Sequence, residues 1–304
     1  MNKLLLLVAM VLCLSASAQQ VKVLNLQQIK TNGVTYHPNF LPDGNILVSS
    51  EGYDGLAIVN PKTGSYTEIT SMTGAGYYPV VSEDGLTIVS RSIDTENSTQ
   101  NLYKIDVKTK KVSPIVQNIE HTNQICLEKG ELTYAVKGKT ISTRVSNIAL
   151  PVKRMSTYVT EEDLKIVVYR GSTRTVLDPL AGQFGDWDTQ YVWTSLSPDK
   201  SRILFTCRNN SYVCNIDGSN LVDLGKMHAP KWCGNDYVVA MDDKDDGHIY
   251  TSSEIVIIKA NGTARQQLTT SGSDIKMFPS ASADGSKIAF HTLDGKLFIM
   301  SISK

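Results

Sequence analysis

One layout recurs along this chain and limits what it can fold into: a short apolar run, a tight turn of the Asp-Gly type, and a second apolar run. It is plainest in Phe278-Pro279-Ser280-Ala281-Ser282-Ala283-Asp284-Gly285-Ser286-Lys287-Ile288-Ala289-Phe290, which continues through Asp294-Gly295 into Leu297 to Ile302. Asp-Gly supplies the positive φ angles that hairpin turns demand, so this stretch reads as a three-stranded antiparallel meander. Tyr36 to Val48, turning at Asp43-Gly44, and Tyr77 to Val89, turning at Asp84-Gly85, repeat the pattern.

Aligning every unit on its first turn gives seven anchors: Asp43-Gly44, Asp84-Gly85, Lys129-Gly130, Asp163-Leu164, Asp199-Lys200, Gly234-Asn235 and Asp284-Gly285. They fall at intervals of 34 to 50 residues. That spacing suits the blades of a β-propeller, about 40 to 45 residues each. Third strands such as Leu56 to Val59 and Ile255 to Ile258 follow, then fourth strands such as Ser65 to Ile69. No helical period extends over ten residues, so the chain is expected to be all-β. The expected architecture is a single seven-bladed propeller of four-stranded antiparallel blades, with six the alternative count because Ile141 to Val152 and Ser172 to Leu180 lack clear punctuation. The last unit ends after its third strand, while Val21 to Leu26 alternates as a strand belonging to no upstream unit. Pairing the two would close the ring and remove an exposed edge.

Residues 1–18 have the anatomy of a secretory signal: Lys3, an apolar run from Leu4 to Leu14, and the small residues Ser15-Ala16-Ser17-Ala18. The propeller is then expected over 19–304. Cys13 follows Leu12 rather than a small residue, which argues against lipid anchoring. Four cysteines remain, Cys126, Cys207, Cys214 and Cys233, with no C-x2-C pair to suggest zinc. Cys207 and Cys214 flank a short turn and are either a disulfide or two buried thiols.

The charge balance, 30 basic against 30 acidic residues, gives no electrostatic footprint for nucleic acid. No G-x-S-x-G elbow, H-E-x-x-H helix or phosphate loop occurs, so no catalytic residue and no cofactor is assigned. Asp242-Asp243-Lys244-Asp245-Asp246-Gly247-His248 resembles a calcium loop in composition but has Lys244 at a ligand position, and reads as a solvated hairpin.

Phe278 to Phe290, Ile255 to Thr269 and Leu196-Ser197-Pro198-Asp199 resemble the WD40-like (PD40) repeats of the TolB-type propeller family. In that family a Pro stands near the blade start, a Ser-Pro-Asp-Gly-like turn follows, and Leu-Thr closes the unit. The chain departs from that signature at Glu83-Asp84, Glu128-Lys129 and Glu162-Asp163. The resemblance implies the propeller fold; the signal-like residues 1–18 imply an exported module of the bacterial envelope, periplasmic or extracellular.

Counting six residues back from each anchor gives a column that should ring one mouth of the central channel: His37, Tyr78, Asn123, Thr157, Trp193 and Phe278, with His228 near the equivalent place. Aromatic faces beside hydrogen-bonding edges suit a protein segment or an oligosaccharide. The expected function is therefore non-catalytic binding by a monomer without a membrane span. The alternative is a metal-assisted polysaccharide lyase resembling the oligogalacturonate lyases, drawing on His37, His121, His228 and His291.

Overall fold

The computed structural model describes residues 20–120, 124–145, 157–185, 188–270, 272 and 274–304. Seven antiparallel sheets follow one another along the chain as the blades of a β-propeller. Blade 1 comprises Tyr36–Phe40, Ile46–Ser49, Leu56–Val59 and Tyr66–Thr70. Blades 2, 5 and 6 are likewise four-stranded, whereas blades 3 and 4 have three strands each among the described residues. Blade 7 takes Lys276–Ala281, Lys287–Thr292 and Leu297–Ser303 from the end of the sequence and Lys22–Ile29 from its beginning. Lys22 pairs with Ser303 and Ile29 with Leu297, which closes the ring as the repeat implies.

The core lies between blades. In the second strand of blade 1, Ile46, Leu47 and Val48 are all buried. Successive side chains on a strand point to opposite faces. Ile46 and Val48 accordingly pack with Ala289 and Ile299 of blade 7, while Leu47 packs with Ile88 and Ile105 of blade 2. The same division places Phe205 against blade 4 and Leu204 against blade 6. Both faces being covered, the middle strands read as continuous apolar runs.

Turn chemistry repeats with the blades. Asp84, Asp199 and Asp284 each accept a hydrogen bond from the hydroxyl of the serine two residues before and from the backbone N–H two residues after. These bonds favour the charged form, and hold the Asp284 carboxyl down at about 2. Gly85 and Gly285 supply the left-handed residue that completes two of these turns.

All four cysteines in the described part are free thiols. Cys207 faces Asn210 and Cys214 faces Ile203 across the hairpin, so the register separates the two that flank the turn. No helix among the described residues is long and apolar enough to cross a membrane. The expected signal, residues 1–18, lies outside the described residues.

Candidate functional site

The first strand of a blade departs from regular pairing at the same place in four blades. The register slips between Tyr36 and Asn39, Val192 and Ser195, His228 and Lys231, and Met277 and Ser280. Inside each slip sits one residue with left-handed backbone: His37 (φ 50°), Trp193 (φ 56°), Ala229 (φ 46°) and Phe278 (φ 47°); Tyr78 (φ 50°) occupies the same place ahead of Val80–Val81. Proline follows in four of the five cases. For residues other than glycine this conformation is strained by on the order of 1–3 kcal/mol, and it persists only where the surroundings enforce it. The bulge re-aims the side chain. In this fold it delivers the side chain to the channel.

His37, Tyr78, Trp193, Ala229 and Phe278 line a cavity of about 510 Å³, together with Tyr53, Tyr77, Gln124, Glu161 and Lys231. Four members of the expected column thus meet. His228 is displaced by one position, because Ala229 takes the left-handed place; the His228 ring instead bonds through Nδ1 to the buried Asp243 carboxylate at 2.7 Å. Thr157 is not among the lining residues, and blade 4 contributes Glu161 and Leu164 instead. Asn123 and His121 lie outside the described residues.

Loops complete one wall. Tyr53 comes from the connection between the second and third strands of blade 1, and its carbonyl accepts a bond from Gly76 N–H at 2.7 Å. A Cβ at Gly76 would stand 2.4 Å from Ser49 Cβ, so only glycine permits the approach that carries Tyr77 to the cavity. Tyr77 meets Tyr53 and Tyr78 edge-on at 5.6 and 4.6 Å between centroids. Behind Tyr77 the buried Arg91 guanidinium lies 5.4 Å from its ring centre and donates to Gln100 Oε1 at 3.1 Å.

Packed against His37 and Phe278 rather than lining the cavity, the buried His291 donates from Nδ1 to the Thr292 carbonyl at 2.9 Å. Burial pushes its imidazole down to about 4. His37 is pushed down to about 3, chiefly by burial and next by His291 and Lys231, whose positive charges oppose a third. Both rings are therefore neutral at pH 7.

Two charged groups face this largely uncharged lining. Glu161 is buried and accepts the Thr194 N–H at 2.7 Å; burial nonetheless raises its carboxyl above the usual range. Lys231 has its ammonium 5.8 Å from the Tyr78 ring centre, and burial lowers it against the opposing pull of Glu161. Sequence counting missed Lys231, although it stands two residues after the left-handed position, in a column otherwise made of Asn39, Val80, Ser195 and Ser280. A lysine amid such neighbours is the signal that was there to find.

The acidic stretch of blade 6 uses its carboxylates internally. Asp242 pairs with Arg265, Asp243 with His228, and Asp246 accepts the N–H groups of His248 and Ile249. Among the described residues no three His, Cys, Asp or Glu side chains are placed to hold a metal ion.

No protein-family model matches the sequence, and no curated protein matches it. Solved structures do. A chain of the Mitotic Checkpoint Complex is 10% identical, with a TM-score of 0.59 over 100% of this chain and 99% of that one. The likeness is one of fold. The β-propeller domain of Cps50 (Swd1) from Myceliophteria thermophila is also 10% identical, with a TM-score of 0.57 over 92% of this chain and 100% of that one. TolB from Acinetobacter baumannii is 15% identical over 80% of this chain, with a TM-score of 0.49, and this chain spans 54% of its length. The PD40 repeat family that the sequence motifs resemble has no matching family model to support it.

Proposed function

We propose that this chain is a non-catalytic binding module whose ligand, a protein segment or a glycan, enters the mouth of the central cavity. One observation carries the reading: bulky rings at left-handed backbone positions converge from separate blades on a cavity of about 510 Å³. Pockets that hold small ligands or chain ends are of this size, and here aromatic rings alternate with hydrogen-bonding side chains such as Asn39, Gln124 and Glu161. Aromatic faces offer large contact area at low entropic cost.

The metal-assisted lyase has less support. His37 and His291 are neighbours, 5.4 Å apart between centroids, but the described residues add no third metal-binding side chain beside them. Export to the envelope is part of the proposal and rests on the signal-like residues 1–18.

The test is a calorimetric screen of the protein against short peptides and neutral and acidic oligosaccharides, repeated with Trp193→Ala. A ligand that binds the parent and is weakened at least about tenfold by the substitution supports the mouth as the site, since central aromatic anchors dominate binding energy. Equal binding by parent and variant, with Tyr53→Ala and Tyr77→Ala equally silent, would overturn it.

A further inference from the structure

Lys22–Ile29 is the outermost strand of blade 7; it pairs inward with Leu297–Ser303 and has no strand on its other side among the described residues. Its first seven residues are exposed in succession, and Leu24, standing in the register slip between Val23 and Asn25, is 66% exposed. Such an edge offers a row of free backbone N–H and C=O groups, and proteins ordinarily interrupt it with charge, proline or shortness. The other four-stranded blades do so: Tyr66–Thr70 carries Glu68, Val112–Glu120 carries Pro114, Val222–Lys226 carries Asp223, and Gln266–Gln267 is only two residues long. From Val23 to Ile29 there is neither a charge nor a proline.

The two faces of this strand differ. On the side of blade 6, Val23 and Leu26 stand opposite Ile302 and Met300 of the core, yet are themselves 39% and 44% exposed. On the side of blade 1, Asn25 and Gln27 stand opposite Ser301 and Ile299 and line a groove of about 660 Å³ together with Lys62 and Lys287. Both lysines are exposed, and neither forms an ion pair among the described residues. Asp43, the one acidic residue of that lining, accepts the backbone N–H and the side-chain amide of Asn45. The groove shares no residue with the central cavity.

A strand added to this edge would turn alternate side chains to the two faces, meeting valine and leucine on one and lysines and amides on the other. We propose that the Lys22–Ile29 edge is a docking site separate from the mouth, which takes up an extended segment of a partner protein whose residues alternate between acidic and apolar. Main-chain hydrogen bonds to the open edge supply affinity, and the alternation sets register and choice of partner. Charge favours such a partner over a second copy of this chain: the copy's own edge is uncharged from Val23 to Ile29 and would bring no counter-charge to Lys62 and Lys287.

Three capped heptapeptides test it, measured by calorimetry: Glu-Val-Glu-Val-Glu-Val-Glu, the same composition in blocks as Glu-Glu-Glu-Glu-Val-Val-Val, and Lys-Val-Lys-Val-Lys-Val-Lys. The alternating acidic peptide should bind at least about tenfold tighter than either of the others. Leu26→Ser should weaken it, and Lys62→Glu combined with Lys287→Glu should move the preference to the lysine peptide. These positions are on the surface, so melting temperatures should stay level. Equal binding of the alternating and block peptides, failure of the alternating peptide to bind, or a preference unchanged in the double variant would each overturn the proposal. Binding that survives Leu26→Ser and is lost with Trp193→Ala would overturn it by placing the peptide in the mouth. A concentration-dependent dimer in sedimentation that Leu26→Ser dissolves would overturn it by giving the edge to a second copy.

Discussion

The His37 imidazole lies almost flat against the Tyr53 ring, with centroids 3.8 Å apart and planes 14° from parallel. A strand residue held at left-handed φ and a loop residue in the same conformation thus clasp each other across blade 1. Ring pairs of this kind contribute about 0.5–1.5 kcal/mol beyond their burial. Tyr53→Ala should therefore lower the unfolding free energy by about 2 kcal/mol, and ligand affinity by more than that share. Urea unfolding measures the first and calorimetry the second; unchanged affinity would remove Tyr53 from the site.

Protonation supplies a second test. In the unfolded chain histidine titrates near 6.5, whereas His37 and His291 are held down at about 3 and about 4 in the folded protein, mainly by burial. Below pH 6.5 the unfolded chain binds protons that the folded one does not, so stability is full above that pH and is lost progressively towards pH 4. The unfolding midpoint should fall between pH 6.5 and 5, above the range in which most carboxylates titrate. His291→Gln, whose amide can still donate to the Thr292 carbonyl, should flatten that slope. An identical slope would assign the titration elsewhere.

Glu161 holds the backbone of blade 5 by accepting the Thr194 N–H. Glu161→Ala leaves that buried donor unsatisfied and should cost about 1–3 kcal/mol. Glu161→Gln keeps an acceptor in place and should cost less. Equal losses in the two variants, read from denaturant midpoints, would mean that the charge rather than the hydrogen bond matters.

Gly76 tests how tightly the wall is built. Its added Cβ would meet Ser49 Cβ at 2.4 Å and the Tyr53 carbonyl at 3.0 Å. Overpacking of this sort costs about 1–3 kcal/mol, and Gly76→Ala should also displace Tyr77. Ser49→Gly in the same chain should restore part of the loss, although it removes the hydroxyl beside His37 Nδ1. A neutral Gly76→Ala variant would contradict the packing described.

The fold was legible because its signals are local. Asp-Gly turns, each followed by an apolar run, mark the blades wherever Asp84, Asp284 and their equivalents nucleate the same hydrogen-bonded turn. His37, Tyr78, Trp193 and Phe278 could be placed because the bulge lies at a constant distance ahead of that turn. The count slipped by one at His228, where Gly234 closes a tighter hairpin and Cys233 pairs directly with Tyr237. It failed at Thr157 because Thr157–Glu162 pairs without a bulge along its whole length, which leaves Glu161 as the residue delivered to the channel. Tyr53 was invisible for a different reason: it reaches the site from a loop, and only the assembled blade brings it over His37.

The seam of the ring joins Lys22 to Ser303 and Ile29 to Leu297 in antiparallel order, so the outer ends of the two strands sit side by side. A pull applied between them acts across the ladder and loads its bonds one after another rather than all together. Among the described residues, every other pair of neighbouring strands within a blade is also held by a covalent turn. Under tension the propeller should therefore open like a zip at blade 7, at low force and before any other blade yields.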